Sequence, residues 1–313
     1  MFHDVKRILI IMNGPTTARL NWDLINEELK NNEIGIIVTN GFLSTKKIID
    51  SPNVLFLVND PLIEFLLNGK ISDIDNPETQ KFLLEKYNFD NDHIEAFRFD
   101  YESCQVLLQS KNIKVAMRAN SFCKNVFPND RIVNFDFSFL DKVLIKFSYK
   151  WHQDGSEPAL FFNRFGIKTF PFESRFAKNN VKHALFGRLW YKINFCQTPN
   201  TFYRALDLAI KANCKEIIFI GRNSQINDWL LEGAYSGNRI PIYYSYFFAN
   251  VSIEMQIKNF ESILRELYYS SQYIRMLTLI YPRKRFFSLE KSVCYKDFYS
   301  IEYCNKYFNE KNY

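Results

Sequence analysis

The residues best suited to chemistry sit just past apolar runs. Asn13-Gly14-Pro15-Thr16 follows the run from Arg7 to Met12, Asn40-Gly41 follows Ile34 to Thr39, and Asn59-Asp60-Pro61 follows Val54 to Val58. An asparagine amide offers a donor and an acceptor without charge. Glycine lets a ligand approach the backbone, and proline stiffens the turn. A helix starting after such a loop presents N–H groups and a favourable dipole to a phosphate. Three loops of this kind point to a ligand held outside the strand ends by uncharged hydrogen-bonding groups. An ordinary strand-to-helix turn would use the same residues at 13–16, and that reading stands beside the first.

Further candidates lie in the second half. Asn200-Thr201 opens a stretch whose Phe202, Ala205, Leu206, Ala209 and Ile210 share one helical face, with Asn200 or Thr201 placed to cap it. Gly221-Arg222-Asn223 follows the apolar run Glu216 to Ile220. Tyr235, Tyr243, Tyr244 and Tyr246 cluster ahead of the amphipathic stretch 252–268. Tyrosine hydroxyls can hold a leaving phosphate without a competing positive charge. In a chain with 31 Phe and 18 Tyr, simple packing accounts for them equally well.

Two Asp-x-Asp triplets, Asp73-Ile74-Asp75 and Asp90-Asn91-Asp92, have a spacing that suits Mg²⁺ or Mn²⁺. Both lie in polar, acidic sequence away from any strand end and read as solvated loops. His152 near Asp154 and His183 beside Lys182 could each serve as a base, but read as packing or surface residues. The four histidines and six cysteines are scattered without a CxxC pair, so no metal site is expected and the thiols read as reduced packing groups of a cytoplasmic protein. Arg283-Lys284-Arg285 with Phe286-Phe287 is either a seat on an anionic membrane surface or a solvated turn.

The elements that must position these loops follow from periodicity. Continuous apolar runs bounded by turn residues are the pattern of strands covered on both faces. Their alternation with helix-compatible sequence predicts an α/β fold: one Rossmann-like domain over 1–285 with a mostly parallel sheet flanked by helices. Ligands of such sheets bind outside the carboxyl ends of the strands, where the loops above fall. Helices are expected near 21–30, 201–212 and 252–268, and further strands at Ile113–Met117 and Ile274–Ile280. A lid-like insertion is expected within 70–190 or 224–250, and 286–313 reads as an appended aromatic and basic tail.

Composition sets the class. The 313 residues are 47% hydrophobic and 17% aromatic, with only ten glycines, which excludes a disordered or collagen-like chain. The net charge of +6 is dispersed, which argues against a nucleic-acid partner. No apolar run approaches the ~18 residues of a membrane span. The expected location is cytoplasmic, with the basic triplet allowing peripheral contact at the inner face of the inner membrane. A homo-oligomer is compatible with all of this.

Taken in order, the features are an Asn-Gly-Pro loop, an Asn after each of the next two strands, a Thr-led helix, the strand Lys215-Glu216-Ile217 and a Gly-x-Asn turn. This order resembles the bacterial sialyltransferases of glycosyltransferase family 42, over about 1–65 and 190–285. The resemblance implies transfer of sialic acid or a related nonulosonic acid from its CMP-activated form onto a sugar hydroxyl of a surface glycan. Neither cofactor nor metal is implied. It places Asn13, Gly14, Pro15 and Thr16 (a serine in the family) on the CMP portion, with Asn40, Gly41 and Asn59 also facing the donor. Asn200 and Thr201 match the segment that holds the donor's carboxylate, and Gly221 and Asn223 match the Gly-Ile-Asp turn. Tyr243, Tyr244 and Tyr246 match tyrosines that hold the departing phosphate.

Two positions depart from the family. Its arginine ahead of the helix falls at Thr198, and no histidine lies between 184 and 313 to deprotonate the acceptor. These departures keep other readings open. One is a different CMP-activated keto-acid, such as Kdo, pseudaminic or legionaminic acid. A second is diphosphate transfer from ATP, as in the archaeal-type pterin diphosphokinases that the Asn-Gly-Pro loop also resembles. The third is an inactive glycan-binding relative.

Overall fold

The computed structural model describes most of residues 2–135, residues 201–221 and most of 267–309. Seven strands form one sheet: β1 (Arg7–Ile11), β2 (Ile34–Thr39), β3 (Val54–Leu57), β4 (Lys114–Arg118), β5 (Ile132–Phe135), β6 (Glu216–Ile220) and β7 (Arg285–Ser288). Every pairing is parallel, in the order β5-β4-β3-β2-β1-β6-β7. This is a Rossmann-like α/β arrangement. The chain builds outward from β1 to β5, then returns to the other side of β1 for β6 and β7. The winding reverses between β1 and β6, and in open sheets that reversal opens a crevice at the carboxyl ends.

The apolar runs read as strands because both faces are covered. Leu9 and Ile11 of β1 join one core with Ile25 and Leu29 of α1 (Trp22–Lys30) and Leu66 of α2 (Pro61–Leu67). The same core takes in α3 (Pro77–Tyr87) through Leu83 and α4 (Asn91–Gln109) through Phe97, Cys104 and Leu107. Ile8 and Ile10 point the other way, into a second core with Phe202, Leu206 and Ala209 of α5 (Thr201–Lys211). Alternation along an extended strand divides the side chains between the two layers. Asn21 caps α1 by accepting from the Leu24 N–H at 3.2 Å.

Two expectations about the C-terminal part are corrected. Ile274–Ile280, read as a strand, is helical where described, at 273–275 and 277–280. Tyr273, Ile274, Leu277 and Ile280 are all buried. Their three- and four-residue spacing is that of a helix face, which a short apolar run conceals. The described residues of 286–313, the stretch read as an appended tail, belong to the fold. Arg285–Ser288 is the seventh strand, and Tyr295 and Tyr307 have no exposed surface. Burial of these rings holds the segment against both cores.

At the amino edge of the sheet a charge network joins that segment to β1. The Arg7 guanidinium lies 3.1 Å from Glu28 and 3.4 Å from Glu216, and donates to the Tyr307 hydroxyl at 3.0 Å. Tyr307 donates to Glu28 at 2.7 Å and Tyr303 to Glu216 at 2.6 Å, both from α6 (Ile301–Tyr307). Lys306 pairs with Glu28, and Arg285 with Glu216. Burial, then the neighbouring Glu216 carboxylate, pushes Tyr303 up to about 12. Burial and Glu28 likewise raise Tyr307. Burial would raise Glu28 as well, but hydrogen bonds from Lys306 and Tyr307 and the charge of Arg7 outweigh it and hold the carboxyl low. The network therefore favours neutral tyrosines and an ionised Glu28.

Among the described residues no helix is long and apolar enough to cross a membrane. Two of the three basic residues at 283–285 are engaged within the chain. Lys284 donates to the carbonyls of Ala212 and Cys214, at the end of α5, and Arg285 meets Glu216. Phe286 is buried in the core, so it is not an inserting side chain.

Candidate functional site

The crevice where the winding reverses is built from three strand ends. Met12 N–H donates to the Ile220 carbonyl and Gly14 N–H to the Gly221 carbonyl, each at 3.0 Å, so the β1–β6 ladder runs on past both strands. Gly221 sits at φ +81, the left-handed region. A Cβ there would lie 2.2 Å from the Met12 carbonyl oxygen and 2.6 Å from the Thr17 hydroxyl. Only glycine permits both the conformation and the approach. Thr17 donates from that hydroxyl to the Met12 carbonyl at 2.9 Å, which fixes the turn from inside.

Behind these turns stands Glu290, two residues past β7. Its Oε1 accepts from the Gly221 N–H at 2.7 Å and from the Thr16 hydroxyl at 2.5 Å. The residue is 3% exposed. Ser288 fixes its backbone, accepting from the Glu290 N–H at 3.0 Å and donating to its carbonyl at 3.1 Å. Sequence reasoning missed Glu290 because it assigned the region to a tail. Only the apolar pair Phe286-Phe287 ahead of it hinted at a strand end.

Three of the sequence-predicted residues meet at the carboxyl edge, and a fourth is directed to the same edge by its helix. Gly14 and Gly221 are hydrogen-bonded to each other, and Thr16 lies beside them. Thr201 opens α5, which packs on β1 and β2. The helix runs back against β6 through a short connection, and about 16 Å of helix spans the strand's length. Thr201 therefore returns to the carboxyl edge, at the end of the strands that carry the glycine turns. Pro15 opens a 3-10 helix, Pro15–Arg19, with Gly14 ahead of it. The helix expected near 21–30 therefore does not start directly from the Asn13–Thr16 loop. One short 3-10 turn intervenes, and α1 begins only at Trp22 under its own Asn21 cap. Thr16 also differs from expectation, because its hydroxyl is turned inward onto Glu290.

Asn13, Asn40, Gly41, Asn59, Asn200, Asn223, Tyr243, Tyr244 and Tyr246 lie outside the described residues, as do His152, Asp154 and His183. Strands β2 and β3 end at Thr39 and Leu57, so residues 40 and 59 follow the carboxyl edge.

The Asp73–Asp75 triplet forms a local turn, the Asp73 carboxylate accepting from the Asp75 N–H at 2.9 Å. Asp75 is gripped by both ends of the Arg98 guanidinium, at 2.7 and 3.0 Å. Asn91 and Asp92 of the second triplet open α4, and Asp90 lies outside the described residues. No group of three or more metal-ligating side chains occurs among the described residues. Burial pushes the Cys104 thiol well up and Cys123 up to about 11, so both are held as thiols.

No protein-family model matches the chain, and neither a curated protein nor a solved structure does. The class defined by fold and site is a doubly wound α/β protein whose glycine turns join the carboxyl ends of β1 and β6.

Proposed function

We propose that this chain transfers sialic acid or a related nonulosonic acid from a CMP-activated donor to a sugar hydroxyl. The observation that carries the reading is the placement of Gly14 and Gly221 on adjacent strand ends at the reversal of winding, with Thr201 at the same edge. The donor nucleoside lies along the β1 and β6 turns, held by Asn13, Asn40 and Asn59. Thr201 meets the sugar's carboxylate. The tyrosines at 243–246 stabilise the phosphate as the bond from anomeric carbon to phosphate oxygen lengthens. The acceptor hydroxyl oxygen forms the new bond to that carbon, its proton passes to a base, and CMP departs with the electron pair. No metal is needed, because neutral donors carry the leaving phosphate.

A second observation favours CMP over the ATP-dependent alternative. The Gly14 N–H is spent on the Gly221 carbonyl and the Gly221 N–H on Glu290. A triphosphate cradled on a glycine turn would need those groups open.

Calorimetry with CMP and ATP on the whole chain tests the reading. CMP is expected to bind and ATP not to. Asn13→Ala should weaken CMP about tenfold, which is 1.4 kcal/mol. Thr201→Ala should slow turnover of CMP-nonulosonate while leaving CMP affinity in place. Preference for ATP, or activity abolished by EDTA and restored by Mn²⁺, would sink the proposal.

A further inference from the structure

The Thr16 hydroxyl and the Gly221 N–H converge on one point, where both meet Glu290 Oε1, at 2.5 and 2.7 Å. A hydroxyl and a backbone N–H from adjacent strand ends, beside a glycine turn, are the donors that hold a phosphate oxygen in many open α/β sheets. Here the position is taken by a carboxylate oxygen of the chain itself. The occupant is held in place, since the Ser288 side chain locks the Glu290 backbone through two hydrogen bonds. It is also shielded, because Thr16 and Glu290 are both buried.

We infer that Glu290 is a built-in anion filling an anion cradle made by Thr16 and Gly221, and so determines which nucleotides the crevice accepts. An incoming phosphate cannot take the two donors, because the Glu290 carboxylate oxygen already holds both. The ligand class that fits is a nucleoside monophosphate or its ester, with its phosphate seated away from Gly14 and Gly221. Nucleoside di- and triphosphates, whose chains would run along the turn, are rejected. The cradle itself is independent of the function proposed above, whereas its use in discriminating nucleotides rests on that reading.

The test starts from Glu290→Ala in the full chain. Emptying the cradle should lower Tm, and acetate, a free carboxylate, should refill it. Recovery of about 2–4 °C in acetate over sodium chloride of equal ionic strength is expected for the variant. The wild type should show no such difference. Equal responses of the two proteins, or no recovery, would overturn the inference. Glu290→Gln keeps an acceptor and removes the charge, which covers the case in which Glu290→Ala does not fold. Two charge-assisted hydrogen bonds become neutral ones, and Tm should fall by about 4 °C. A Gln variant as stable as the wild type counts against the built-in anion. Glu290→Ala, with the donors freed, should also bind CDP about tenfold better relative to CMP than the wild type does. An unchanged ratio refutes the selective role. A wild type that binds no CMP refutes the donor reading alone and leaves the acetate and Tm comparisons to decide the cradle.

Discussion

Gly221→Ala tests whether the β1 and β6 ends are joined as described, and Gly69→Ala provides its control. Both glycines lie in the left-handed region, at φ +81 and φ +74, so an alanine at either carries a backbone cost of about 1–2 kcal/mol. They differ in surroundings. The new Cβ at 69 meets nothing within 4 Å, whereas at 221 it falls 2.2 Å from a backbone carbonyl oxygen and 2.6 Å from a hydroxyl. Relieving that overlap must push the β1 and β6 ends apart, a cost of about 1–3 kcal/mol. The Gly14–Gly221 and Gly221–Glu290 hydrogen bonds stretch with it, at about 1 kcal/mol each. Urea denaturation should therefore place Gly221→Ala about 3–5 kcal/mol below Gly69→Ala, with a Tm lower by roughly 6–20 °C. The entropy that alanine removes from the unfolded chain is common to both variants and cancels. Stabilities within 1 kcal/mol of each other would mean that the strand ends are not in contact, and the crevice as built would have to be abandoned.

Two further outcomes follow from the scaffold. Arg131 donates to the carbonyls of Ile113, Ser110 and Leu107 at 2.8, 2.6 and 3.1 Å, which ties the end of α4 to β4. Arg131→Lys keeps the charge and loses the fork, and should cost about 2 kcal/mol in chemical denaturation; a silent substitution would contradict the bonding. Tyr303 titrates near pH 10 when unfolded and near 12 when folded. Its contribution is therefore complete below pH 10 and lost as pH rises through 12. A Tm–pH profile should fall more steeply between these values for the wild type than for Tyr303→Phe, and parallel profiles would refute the burial argument.

Much of the scaffold was legible because a strand covered on both faces leaves little room for polar residues. Ile34–Thr39 and Glu216–Ile220 appear in the structure with the bounds their apolar runs predict, and the first helix, Trp22–Lys30, falls where the helix-compatible stretch 21–30 placed it. The same signal failed at 274–280, where an apolar run short enough to be a strand is one side of a helix. It failed again at Arg285–Ser288, four residues with alternating exposure that resemble loop sequence. Strand order was not legible either, because parallel neighbours are set by crossovers that local periodicity does not record.

By itself the sequence determined the α/β class, the strands that carry the glycine turns and the chemistry of the loops beyond them. Those properties are local, written in side-chain periodicity and in the few residue types that tolerate a turn. Only the tertiary structure decided that β6 returns to lie beside β1, and with that which loops share a crevice. It also brought Glu290 within hydrogen-bond reach of Thr16, a residue 274 positions away. The physical reason is that burying both faces of a sheet and satisfying its backbone donors are conditions on the whole chain. A carboxylate remote in sequence can meet a donor left at a strand end, and no local pattern announces it.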